Sequence, residues 1–430
     1  MDVKLHYTLT DKYREEVTDG EATGRLEEES FSIMPKFGET LYFTLRDITD
    51  ISASDYQIHL ILSSEEKLTL SQLGFKYEDF LRILYSLHNE MIIKDMLMNE
   101  SIKKSGVEAE FSFTGMKKKL EGQCKLRLYE SAIVIIPRQG DILRIPYCEL
   151  EQITEKDFTL VVNTEFKDKI TLSKMGKNFN PFAIALSKVI NELSLQVQST
   201  VKELVPEADP LTVRKVSRFM KEGKAARRSD IETVCPQLWE KMEKKVKELE
   251  SEHEYEFLRK RARKEKMCIG LKRGLMGDLN GEYIWFLIPI YSLNHQEPGN
   301  IVAMESLSSE NGGKATYFFR IVGRKEYREF DDFESLDQKV DNFITKINRC
   351  MLAINFRREP IYLSDELLTE PCYRRYMTAV SLIPELKELR KLFVGRVIHR
   401  NINQWKSDAE SLLKFNINSS EDSDKWEKEK

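Results

Sequence analysis

The chain has 430 residues, 41% hydrophobic, 32% charged and 10% aromatic, with 67 basic and 71 acidic side chains and a formal net charge of -4. That apolar share can fill ordinary cores, which excludes a wholly disordered chain, and the near balance of charge excludes a global field for nucleic acid or membrane. The longest apolar run, Tyr283–Tyr291, falls far short of the ~20 residues of a membrane-spanning helix. The start, MDVKLHYTLTDKYREE, has no apolar signal core, so a cytoplasmic location is expected. Cysteines 124, 148, 235, 268, 350 and 372 are scattered with no CxxC pair, and are expected to be buried reduced thiols. The length suggests roughly two to four domains.

Self-comparison finds a repeat at an offset of 102 residues. Gly20–Met91 aligns without a gap to Gly122–Leu193, with 19 identities in 72 positions. Chance would supply roughly four or five. The matches include Arg25/Arg127, Pro35/Pro137, Gly38/Gly140, Asp55/Asp157, Phe80/Phe182 and Asn89-Glu90/Asn191-Glu192. Each copy opens on short strands broken by Pro and Gly, IMPKFG and IIPRQG, and continues with period-two stretches such as DYQIHLIL and DFTLVVNT. The period then lengthens. Tyr77, Phe80, Leu81, Leu84, Leu87 and Met91, and in the second copy Phe179, Phe182, Ala183, Leu186, Val189, Ile190 and Leu193, each make one stripe of a closing helix.

Antiparallel strands followed by one amphipathic helix predict an α+β fold with a small barrel whose open end the helix plugs. The order resembles the pleckstrin-homology-like (PH-like) superfold, and the Gly24–Ile51 pattern is similar to its GRAM-type members. The resemblance covers residues 20–193. It implies binding of lipid headgroups, peptides or proteins without choosing among them. The tandem arrangement is also similar to the paired PH-like modules of histone chaperones, although their long acidic tract is absent.

From Glu203 to Met267 the strand signal gives way to helices. Asp209-Pro210 caps one, Gly223 stops it, Ser229-Asp-Ile-Glu232 has capping-box spacing, and Pro236 opens a run through Trp239 and Leu249. With the basic turn at Lys224, Arg227 and Arg228, this could be a DNA-reading helix-turn-helix or a solvated connector. The last run is expected to continue as a charged helix: five glutamates in 248–256, then eight Lys/Arg against one acid in 257–273. Its dense cluster of Arg259, Lys260, Arg261, Arg263, Lys264 and Lys266 could meet an anionic membrane or nucleic acid. It could equally pair with the preceding glutamates.

Strand signals return at Glu282–Ile290, Asn300–Leu307 and Ala315–Val322, with a turn at Asn311-Gly312-Gly313. A helix bearing Leu336, Val340, Phe343, Ile344, Ile347 and Met351 follows. This reads as a third, degenerate PH-like or α+β domain. The expected domains are 1–100 and 101–200 as the two repeats, 201–275 as helical connector, 276–356 as the third domain, 357–415 as a helical extension and 416–430 as a disordered tail.

Histidine pairs with metal spacing, phosphate-binding glycine loops and a nucleophile elbow are all missing, so no catalytic residue, metal or cofactor is expected. His59 and His88 face Val161 and Ile190 of the second copy, which makes structural or surface roles the expectation. For an anionic ligand the basic residues of the second copy, Lys117, Lys118, Lys119, Lys125 and Arg127, join the 259–266 cluster as candidates. Lys117–Lys119 could instead be a solvated linker between domains. The function expected is a non-enzymatic adaptor that recruits a protein partner or docks on an anionic membrane. Nucleic-acid or chromatin binding is the alternative, and an enzyme assembled from distant segments is a further one.

Overall fold

The computed structural model describes residues 1–430 except 14, 96–99, 116–118, 139, 141, 274–281, 309–313, 371 and 416–430. The turn expected at Asn311–Gly313, Lys117 and Lys118, and the C-terminal tail lie outside the described residues. The chain divides into two units, Met1–Val189 and Ile190–Lys430. It is mixed α+β, and every strand pairing is antiparallel. No described helix is long and apolar enough to cross a membrane.

The first unit holds two seven-stranded sheets. The first comprises β1 (Asp2–Thr10), β2 (Glu16–Leu26), β3 (Ser30–Pro35), β4 (Leu41–Thr44), β5 (Ile48–Ser54), β6 (Gln57–Leu62) and β7 (Lys67–Ser71). The second comprises β8 (Ile102–Thr114), β9 (Lys119–Tyr129), β10 (Ala132–Pro137), β11 (Leu143–Pro146), β12 (Leu150–Lys156), β13 (Thr159–Thr164) and β14 (Lys169–Ser173). The strand orders, β4-β3-β2-β1-β7-β6-β5 and β11-β10-β9-β8-β14-β13-β12, are the same. The registers agree too: Gly24 faces Ile33 as Leu126 faces Ile135. Each sheet is followed by a helix, α1 (Tyr77–Asp95) and α2 (Phe179–Leu204). Both sheets also hold a central strand, β1 or β8, that precedes the aligned repeat. In β1, Val3, Leu5, Tyr7 and Leu9 alternate into the core; in β8, Val107, Ala109 and Phe111 do so.

The β5–β6 hairpin turns on Asp55-Tyr56 (φ 49 and 58) and the β12–β13 hairpin on Asp157-Phe158 (φ 50 and 56). Two successive left-handed residues match the strand twist, but a bulky ring there is strained. The strain is offset by stacking. Tyr56 packs on Tyr77 at 5.5 Å and Phe158 on Phe179 at 5.6 Å, so each hairpin is pinned to the first residue of its helix.

Helix α1 buries more than the one expected stripe. Phe80, Leu84 and Met91 face their own sheet, while Tyr85, His88, Asn89, Ile92 and Ile93 are buried as well. Its second side meets the second sheet, where Arg127 of β9 donates to the Glu90 carboxylate and all six residues of β10 are buried. The two copies differ at several positions of these elements. Val134 and Ile136 of β10 stand opposite Ser32 and Met34 in the first copy, and exposed Ser187 and Ser194 of α2 replace Tyr85 and Ile92 of α1.

The second unit is built on one sheet of order β15-β16-β17-β18-β19-β20, namely Ala226–Arg227, Cys268–Arg273, Glu282–Ile290, Ile301–Ser308, Ala315–Arg320 and Phe393–Ile398. Its helices are α3 (Pro210–Ser217), α4 (Arg228–Val234), α5 (Pro236–Val246), α6 (Glu252–Arg259), α7 (Arg324–Arg328), α8 (Phe333–Ala353), α9 (Glu359–Tyr362), α10 (Asp365–Thr369), α11 (Arg374–Leu382), α12 (Pro384–Leu392) and α13 (Ile402–Leu413). Ile284, Phe286 and Ile288 pack into one core with Trp239, Tyr255 and Trp405 of α5, α6 and α13. The strands run in chain order, unlike the first two sheets. The segments drawn from sequence as connector, third domain and extension therefore share one sheet.

Two elements differ from the sequence expectation. The charged helix does not run through 257–273, because α6 stops at Arg259 and 268–273 form β16. Cys268–Leu271 are buried between β15 and β17, and a Cβ at Gly270 would collide with the Trp285 indole and the Gly223 carbonyl. A strand there seals four apolar residues that a charged surface helix would leave half wet. Likewise Phe393–Ile398, inside the expected helical extension 357–415, form β20 and pair with β19.

The core argument predicts unequal costs along equivalent helices. Phe80→Ala, at a fully buried ring 5.7 Å from Phe31, is expected to lose about 3–5 kcal/mol in urea unfolding. Ile184→Ala, at a 69% exposed site of α2, should change stability by less than about 0.5 kcal/mol.

Candidate functional site

Four of the six cations in the 259–266 cluster are engaged within the protein. Arg259 pairs with Glu243 at 3.2 Å and Glu256 at 3.1 Å. Burial works against its charge, but the two carboxylates outweigh that and hold its pKa above the ordinary value. Lys266 lies 3.0 Å from Asp341 and 3.5 Å from Asp337. Arg261 pairs with Glu410 at 3.2 Å and covers the Phe257 ring; Arg263 pairs with Glu265 at 3.2 Å and covers the Phe333 ring. Lys260 and Lys264 are exposed, with no ion pair among the described residues. The cluster is a helix end, a turn and a strand entry instead of one helix face. Two exposed lysines supply only about 1 kcal/mol each toward an anionic surface.

In the first unit, Lys119 is exposed at the first position of β9, opposite Thr114 of β8. Lys119 therefore belongs to a strand of the sheet. Arg127 is committed to Glu90, whose hydrogen bonds are the chief reason its pKa is raised despite burial. Lys125, two residues earlier on the same face of β9, is exposed and lines a groove of about 510 Å³.

That groove lies between α1 and strands β8, β9 and β10. Leu81 and Tyr85 from α1, with Ile136 and Pro137 from β10, supply its apolar part. Tyr85 is locked by its hydroxyl, which donates to the Ile51 carbonyl at 2.8 Å, and burial pushes its pKa up to about 12. Arg82, Lys125 and Arg138 face it together with Glu78, Asp79 and Glu108, so both signs of charge are present. Asn89 also lines it and is only 4% exposed. The 102-residue repeat was the available signal, since the seam lies where the copies diverge, but the groove itself is invisible until α1 is seen to have two buried sides.

A second polar cluster is buried in the second unit. His399 lies 3.2 Å from Glu305 and 3.6 Å from Glu254, and Glu305 accepts from Thr316 at 2.7 Å and from Ser251 at 3.0 Å. Ser251 closes a π-helical turn, Lys247–Ser251, between α5 and α6. No cavity reaches these groups among the described pockets, and the serine is held by a carboxylate rather than by the imidazole, so the cluster reads as a buried ion-pair network tying α6 to β18, β19 and the end of β20. Among the described residues no group of His, Cys, Asp and Glu could hold a metal ion. Five cysteines are buried and Cys372 is exposed; burial pushes the Cys124 and Cys268 thiols up to about 12, away from thiolate chemistry. His88 faces the Ile48 carbonyl at 2.9 Å and His59 the Thr69 hydroxyl at 3.1 Å. No protein-family model matches the chain, and no curated protein matches it.

The histidine network carries a pH dependence. Burial pulls the His399 pKa down, but the hydrogen bond to Glu305 and the charges of Glu305 and Glu254 more than offset it, leaving a net rise. A raised folded-state pKa contributes stability that is fully present below about 6.5 and is lost as pH rises through the folded value. His399→Gln is therefore expected to flatten the fall in stability of the wild type above about pH 6.5, read by denaturant melts across the range. Parallel wild-type and variant profiles would remove the network from that dependence.

Proposed function

We propose that the chain is a non-enzymatic adaptor whose first unit consists of two PH-like modules arising by duplication, and that this unit takes up a protein partner. The shared strand order, the matching registers and the helix after each sheet support the PH-like reading and the duplication. The groove at the seam carries the partner reading: it is an open surface with apolar side chains and charges of both signs, the composition expected of a protein contact and a poor match to a uniformly anionic bilayer. The internal pairing of Arg259, Arg261, Arg263 and Lys266 takes away the strongest sequence argument for membrane or nucleic-acid docking. Exposed Lys119 keeps an anionic contact at the β8–β9 hairpin as the second reading.

Placing a photo-crosslinking residue at Arg138 on the groove rim, or at exposed Glu151 on β12, separates the two. The adaptor reading expects discrete protein adducts from position 138 and none from 151. Absence of adducts at 138, together with salt-sensitive sedimentation on anionic vesicles that Lys119→Glu weakens, would replace it with the anionic-surface reading.

A further inference from the structure

We infer that the groove along α1 binds an extended peptide segment, gripping one peptide unit through Asn89 and favouring an acidic side chain next to an apolar one. This rests on the adaptor reading and names the partner's chemistry. Asn89 is 4% exposed, lines the groove and has no hydrogen-bond partner among the described residues. Its carboxamide is not among the sealed, unpaired polar groups of the protein, so a ligand in the groove can reach both its donor and its acceptor.

The protein shows twice what such a side chain does when it has a partner. Asn348, 2% exposed, accepts from the Ala225 N–H at 2.7 Å and donates to the Ala225 carbonyl at 3.3 Å. Asn300, fully buried, accepts from the Val322 N–H at 3.2 Å and donates to the Val322 carbonyl at 2.9 Å. In both, the carboxamide reads the N–H and C=O of one main-chain residue at once. Asn89 presents the same pair of groups to the groove.

The rest of the lining sets the side-chain preference. Leu81, Tyr85, Ile136 and Pro137 form an apolar bed, and about 510 Å³ lies within the ~300–1,000 Å³ of ordinary ligand sites. Arg82 is paired with Asp79 at 2.7 Å, whereas Lys125 and Arg138 have no ion pair among the described residues. Glu108 stands opposite Lys125 in the β8–β9 register without closing a pair. Glu78 of α1 also lines the groove without an ion pair among the described residues, so it is beside Lys125 and Arg138, on the side of β9 and β10, that an acidic residue flanking an apolar one is favoured.

The test pans a randomised octapeptide phage library on the full-length chain and titrates the enriched peptide, synthesised with a fluorophore, by anisotropy. The expected consensus places Asp or Glu beside a large apolar residue. Asn89→Leu should weaken binding about tenfold or more, and Lys125→Glu with Arg138→Glu should weaken it similarly while gaining a peptide whose acid is replaced by Lys. The charge pair is exposed, so that arm stands even where Asn89→Leu unfolds. Enriched peptides that bind all variants equally would overturn the groove assignment but leave the adaptor reading. An unenriched library, beside adducts at position 138, would overturn the extended-peptide assignment alone.

Discussion

Helix α1 has to bury two sides at once, and the organisation of the first unit follows from that constraint. One side carries the regular stripe of Phe80, Leu84 and Met91 into its own sheet. Another carries Asn89 to the groove shared with the second sheet, and the Arg127–Glu90 pair ties the two together. A helix that is apolar on one side can close a small domain; one that is apolar on two sides must lie between layers. Ile136 and Pro137 of the buried strand β10 line the groove across from the helix.

Charge is arranged by the same logic. With 67 cations and 71 anions the chain has ample material for internal pairing, and the second unit uses it on the densest basic run. Pairs that are part-buried, such as Lys266 with Asp337 and Asp341, lose less to solvent screening than exposed pairs do. What remains unpaired is therefore more informative than what is abundant. On the first unit, Lys125 and Arg138 have no ion pair among the described residues and lie beside an apolar bed, with Glu78 and Glu108 likewise unpaired at the same groove.

Much of the architecture was legible because local pattern and tertiary role agree. The repeat at 102 residues, the closing helices, the Asp209 cap and the buried face of α8 each have a short-range signal that the fold then uses. The misread segments are those where a long-range partner decides. Cys268–Leu271 lie beside a basic run, yet Trp285, Gly223 and the flanking strands make them a buried strand. Phe393 lies in the segment expected to be helical, yet β19 claims it. The seam could not be read from α1 alone, since a second apolar side looks like noise on an amphipathic helix until β10 is placed against it. The site residues divide in the same way: Lys125 was recoverable as a surface cation, whereas Asn89 becomes notable only once its burial and missing partner are known.

Hydrogen exchange on the full chain carrying Phe80→Ala tests the central claim, that α1 belongs structurally to both sheets. Shared burial predicts faster exchange not only in β3 and β6 of the first sheet but also in Ile133–Ile136 of β10, while β17 of the second unit stays unchanged. Acceleration confined to the first sheet, with β10 as protected as in the wild type, would contradict it.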